Sequence, residues 1–153
     1  MSKKFHPLFI IVLTALGCTL CSGMASGPEK KDSLAKKELK IQLEQALLMF
    51  EDRYEAKDTQ GIGELLDKNY EGYLNFISLL DTYFQDNNSV KLHMVMDSFL
   101  TDKDMVHVRL HWLKTIMDSS GLSVKTEGIS EFVFKITDEG LKLLNIRKDN
   151  PFF

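Results

Sequence analysis

Between Asp86 and Ser89 the hydrophobic rhythm of this chain changes, and that change limits the folds open to it. Upstream, apolar residues recur every three or four positions. Leu39, Leu43, Leu47, Phe50 and Tyr54 form one stripe, and Tyr70, Tyr73, Leu74, Ile77, Leu80 and Phe84 form another. Such spacing lines one face of a helix with about 3.6 residues per turn. Downstream, Val90, Leu92, Met94 and Met96 alternate with Lys91, His93 and Asp97, the period of about 2 that marks a half-buried strand. Helices first and strands after, rather than interleaved, predict an α+β domain with three N-terminal helices packed on one side of a strongly curved antiparallel sheet.

Local signals set the expected boundaries. Asp32 or Ser33 can cap the first helix, which should run to about Lys57, and Asp58-Thr59 can cap a short second helix through Ile62, Leu65 and Leu66. A third helix is expected over Tyr70 to Phe84, ended by Asp86-Asn87-Asn88-Ser89. The second strand, Met105 to Met117, puts Val106, Val108, Leu110 and Trp112 on one face and His107, Arg109 and His111 on the other. After the turn Asp118-Ser119-Ser120-Gly121, a long strand places Thr126, Gly128, Ser130, Phe132 and Phe134 opposite Lys125, Glu127, Glu131 and Lys135. Gly128 in its middle predicts a bend or bulge. Thr137-Asp138-Glu139-Gly140 then turns the chain into a last strand, Leu141 to Arg147, which closes an antiparallel meander.

The start of the chain carries an address. Lys3 and Lys4 precede about ten apolar or small residues from Leu8 to Gly17, too short to span a bilayer, which takes about 20, and better read as a signal peptide. Ala15-Leu16-Gly17-Cys18 resembles a bacterial lipobox, with Ala15 where that motif usually carries Leu, while Gly23-Met24-Ala25 would suit ordinary signal peptidase. The lipobox is the preferred reading. It makes Cys18 the acylated first residue, a membrane partner through lipid chains that each contribute about 0.8 kcal/mol per buried CH₂. Thr19, being other than Asp, would then sort the protein to the outer membrane facing the periplasm in a Gram-negative host; ordinary cleavage would leave it periplasmic or secreted. Residues 1–27 are thus read as export segment and start of a tether, 28–32 as flexible tether, and 33–153 as one domain.

Both cysteines, Cys18 and Cys21, lie in the export segment, so the domain is expected to fold without disulfides. The chain has a formal net charge of −3, and losing the first 27 residues removes Lys3 and Lys4 but no acid. An acidic domain of this kind argues against a nucleic-acid partner, whose phosphates call for clustered bases, and offers no polybasic membrane patch.

With the order of elements in hand, the chain resembles the nuclear transport factor 2-like superfamily, a cone of three helices and a bent sheet. The resemblance covers nearly all of residues 38–153. It rests on the first helix ending in Phe50-Glu51-Asp52-Arg53-Tyr54-Glu55-Ala56-Lys57-Asp58, the strand from Gly128 to Phe134, and the closing Gly140-Leu141-Lys142-Leu143-Leu144-Asn145-Ile146. The superfamily includes isomerases, dehydratases and cyclases beside many members that only bind, so the resemblance implies a fold and leaves activity open. In its ketosteroid isomerase branch a Tyr near the end of the first helix helps hold a developing oxyanion, and Tyr54 matches that position. The carboxylate base that should follow the second helix has no counterpart, because the chain continues into the amphipathic stretch from Tyr70 to Phe84. Tyr54 as a buried core tyrosine is the competing reading.

Other chemistry finds little support. His107 and His111 at i and i+4 would share a metal on a helix but lie about 13 Å apart on a strand, and His93 could face His111 only if the hairpin register allowed it. No metal site and no cofactor are expected; Gly61 and Gly63 lack the strand, spacing and lysine of a phosphate loop. The acids on strands point mostly outward, with Asp97 the one to watch near a strand end. Tyr54, Trp112, Thr126, Ser130 and Asn145 are the expected lining of a small apolar pocket. The outer sheet face, with Val95, Leu113, Ile129 and Val133 among charges, is the expected surface of a homodimer centred on Ile129 and Val133. Taken together the expectation is a non-catalytic envelope lipoprotein binding a small apolar ligand or a protein partner. An isomerase, dehydratase or cyclase using Tyr54 and a structural role at the envelope are the alternatives.

Overall fold

The computed structural model describes residues 28–153; the export segment, with Cys18 and the cleavage sites, lies outside the described residues. Three helices, α1 (Pro28–Glu55), α2 (Thr59–Leu65) and α3 (Tyr73–Asp86), precede four strands, β1 (Asn87–Asp102), β2 (Met105–Asp118), β3 (Ser123–Thr137) and β4 (Gly140–Lys148). The strands form one antiparallel sheet in the order β1-β2-β3-β4. This is the α+β arrangement that the change of hydrophobic period demands.

Two expected boundaries move. Residues 28–32, read as tether, belong to α1, since a proline is tolerated in the first turn, where its missing N–H costs no hydrogen bond. The third helix begins at Tyr73 rather than Tyr70, because Gly72 at φ 71° sits in the left-handed region and starts it. Asp58 caps α2 as expected, its carboxylate accepting from the Gly61 N–H at 2.8 Å. Lys57, at φ 57°, turns the chain out of α1 and donates from Nζ to the carbonyls of Phe84 and Asn87. A cation there meets the negative end of α3 and ties the three helices to the start of the sheet.

The sheet is long, and each of its edges is met at one point. β1 is an edge strand, and Glu51 on α1 accepts the Met94 N–H that β2 cannot reach. At the other edge, Leu66 bridges Leu143 and the Asp67 N–H donates to the Leu143 carbonyl at 2.8 Å. Both devices satisfy donors or acceptors that would otherwise invite another strand. Register shifts fall between Asn87 and Ser89, between Met96 and Ser98, and between Val133 and Phe134. None falls at Gly128, whose pairing with Trp112 is continuous with its neighbours. The expected bulge is therefore absent there. A Cβ at that position would lie 2.5 Å from the Trp112 ring, so the glycine lets the indole lie flat across β3.

The core lies between α1, α3 and the inner sheet face. Leu43, Leu47, Phe50 and Tyr54 of α1 meet Phe132 and Phe134 of β3, all fully or almost fully buried. Phe152, beyond the last strand, joins them with no exposed surface.

Candidate functional site

The chain leaves β4 at Lys148, which at φ 65° reverses its direction, and folds back over the inner face of the sheet. Ser130, fully buried, donates its hydroxyl to the Asp149 carbonyl, and Asn150 accepts the Phe152 N–H at 3.0 Å. These bonds aim Phe152 into the cone. Its ring centroid lies 5.8 Å from that of Phe50, 5.7 Å from Tyr54, 5.7 Å from Phe76 and 6.1 Å from Phe132. Distances of this size are ordinary for stacked, tilted and edge-on aromatic pairs, each adding about 0.5–1.5 kcal/mol beyond area burial. The Tyr54 hydroxyl donates to the Phe152 carbonyl at 3.3 Å. Burial, with Tyr83 nearby, pushes the phenol well above its ordinary range, so Tyr54 is held neutral. Tyr54 is thus a core tyrosine with a satisfied hydroxyl.

The other expected pocket residues separate. Trp112 and Ser130 face the helices, but Thr126 is exposed at the wide end of the sheet. Asn145 pairs with Val133 and shares its outward face. The register shift beside Phe134 inserts Leu144 and so alters the alternation that a continuous strand would give. Tyr54, Trp112, Thr126, Ser130 and Asn145 therefore do not line one pocket.

Between Trp112 and the open end stands a residue that pattern reading passed over. Lys114 pairs with Leu92 and Thr126 on the inner face and is only 3 % exposed. Its Nζ lies 5.2 Å from the Tyr83 ring centroid and 5.8 Å from that of Trp112. Burial lowers its amine from 10.5 to about 8. Among the described residues no carboxylate or carbonyl is within bonding reach of it. The Trp112 Nε1, also buried, has no hydrogen-bond partner among the described residues, whereas the Tyr83 hydroxyl has that of Tyr54 beside it. The signal was the alternation itself, since Lys114 shares the parity of Leu110 and Trp112.

The outer face is built differently. Asp97, at the register shift of β1, turns its carboxylate to His111 at 2.7 Å and Arg109 at 3.7 Å. Glu131 is held in the same way by His107 at 3.3 Å and Arg147 at 3.2 Å, and the His107 bond followed by the Arg147 charge keeps its carboxyl below the usual range. His93 and His111 are not opposite: His93 pairs with Leu113, Val95 with His111, and His93 faces Glu51 at 3.5 Å. Among the described residues no group of three or more His, Cys, Asp or Glu is placed to hold a metal ion. Beside these ion pairs runs an open groove of about 460 Å³, bordered by Val95, His111, Leu113 and Ile129. Val95 is 50 % exposed and Leu113 42 %, whereas Val133 is already buried within the single chain. The expected interface centre on Val133 is corrected accordingly; Ile129 keeps its place at the groove.

This geometry has counterparts. A nuclear transport factor 2-like superfamily protein from Salmonella enterica superposes with a TM-score of 0.62 at 14% identity, over 78% of this chain and 93% of that one. The chain has the nuclear transport factor 2-like fold. A second protein of this fold, from Novosphingobium aromaticivorans, gives a TM-score of 0.65 at 14% identity over 81% of this chain and 89% of its own. A Streptomyces avermitilis protein, provisionally named a dehydratase of the same family, gives 0.60 at 15% identity over 69% and 92%. No family model matches the sequence, and no curated protein matches it either. Likeness at this level of identity fixes the fold and leaves function to the site.

Proposed function

We propose that this is a non-catalytic protein of the cell envelope, exported and anchored through an acylated Cys18, whose domain binds a protein partner on the outer face of its sheet. The partner we assign first is a second copy of the chain. The carrying observation is Phe152, which occupies the narrow end of the cone and takes the Tyr54 hydroxyl hydrogen. A fold-related dehydratase or isomerase chemistry would need that hydroxyl free to polarise a substrate carbonyl, with a carboxylate or imidazole beside it as base. Here the hydroxyl faces a backbone carbonyl and aromatic rings. The same filling works against a small apolar ligand at the narrow end.

The outer face supports the binding reading. Val95, Leu113 and Ile129 supply apolar surface, and Asp97, Glu131, Arg109 and Arg147 put both signs of charge around it. A two-fold contact requires a surface complementary to itself, which one sign of charge alone could not give. Sedimentation equilibrium of the chain carrying Cys18→Ser tests this. The mass should rise toward twice the monomer with concentration, and Leu113→Asp should hold it at the monomer. A monomer mass independent of concentration would overturn the proposal.

A further inference from the structure

We propose that the end of the domain at which the chain enters it, formed by the start of α1 and the β1–β2 hairpin, rests on the membrane surface with Leu34 and Leu100 in the lipid. The inference rests on the acyl anchor at Cys18 proposed above and adds the orientation in which that anchor holds the domain. Chain length is the first observation. Nine residues separate Cys18 from Pro28, where α1 begins, and fully extended they span at most about 30 Å. An anchored chain therefore keeps the start of α1 close to the bilayer, and the side chains around that point are the ones lipid meets first.

The second observation is what those side chains are. Leu34 is 70 % exposed and Leu100 75 %, more open than an apolar side chain needs to be in a folded domain. An open groove of about 420 Å³, bordered by Ala35, Leu39, Phe99 and Leu100, joins the helix start to the hairpin, and the Lys36 Nζ lies 5.8 Å from the Phe99 ring centroid across it. The β3 end reaches the same place, since the Ile136 N–H donates to the Asp104 carbonyl at 2.7 Å and Ile136 is itself exposed. Charge then narrows the partner. Lys36, Lys37 and Lys103 stand exposed beside Glu38, Asp102 and Asp104, so the signs cancel and apolar insertion is the force that remains. The lysine stems can lie along the apolar surface with their heads among the lipid headgroups. Two leucines alone make a weak contact, but the tether turns it into an intramolecular one at high effective concentration.

The test uses the acylated chain carrying Cys21→Ser, so that an introduced cysteine is the one free thiol. Leu100→Cys and, separately, Leu122→Cys are labelled with the fluorophore NBD, and each chain is inserted in phosphatidylcholine vesicles. Leu122 is the reference because it is 62 % exposed in the β2–β3 turn, at the opposite end of the sheet. Iodide should quench the label at 100 severalfold less than the label at 122, and the emission at 100 should shift to the blue. Leu34→Glu in the Leu100→Cys chain should restore quenching at 100. Without vesicles, the Cys18→Ser form should leave both positions equally open to iodide. Equal quenching of the two positions in chains that float with the vesicles would overturn this contact and leave the anchor standing. Chains that do not float would remove the anchor and the contact together. Shielding of position 100 in the Cys18→Ser form without vesicles would assign the patch to another copy of the chain and overturn the proposal.

Discussion

Tyr54 and Phe152 are 98 residues apart and joined by a hydrogen bond of 3.3 Å from the phenol to the main-chain carbonyl. Through that bond the end of the first helix and the segment after the last strand close the cone from opposite sides.

Removing the bond alone should cost little. Tyr54→Phe leaves every ring contact in place and is expected to lower stability by about 0.5–1.5 kcal/mol in urea unfolding. Phe152→Ala removes a ring packed against four others and should cost about 3–5 kcal/mol. Equal, small losses for both variants would show that the tail is only loosely docked.

Lys114 gives stability a pH dependence of definite sign. Its amine titrates at 10.5 in the reference state and at about 8 in the folded chain. Between those values the unfolded chain holds a proton that the folded chain has released, so raising pH through this window raises stability. Below it both states are charged and the full cost of burying the ammonium is present. Lys114→Met should therefore raise the urea midpoint at pH 7 and flatten the profile between pH 8 and 10.5. A variant with the parent's profile would contradict this.

The helices and strands were legible in the sequence because each buries one face and repeats its period several times. The inward set Val106, Val108, Leu110 and Trp112 is buried as the alternation requires. Phe152 was not legible, since Asn150-Pro151-Phe152 follows the last strand with no period to read. Its place depends on a reversal at Lys148 and on the Ser130 bond to Asp149. Asn145 was misplaced for a related reason: a one-residue shift in β4 changes which residues share a face, and alternation alone does not show it. Lys114 had a signal in its parity, but a charge on an inner face runs against the rule that places charges in water.

The proposed address rests on Cys18, outside the described residues, and is tested apart from the fold. Cys18→Ser should move the protein from the membrane fraction to the soluble fraction after cell breakage. Continued sedimentation with membranes would count against the acyl anchor.

The central claim is that the chain fills the narrow end of its own cone with Phe152. Saturating benzene in a thermal melt tests it, because a ligand that binds only the folded state raises Tm and an apolar cavity of sufficient size takes up benzene. The parent chain should show no rise, and Phe152→Ala, destabilised but with the space vacated, should gain several degrees. A rise in the parent as large as in the variant would mean that the cone is hollow and that a small apolar ligand belongs inside it.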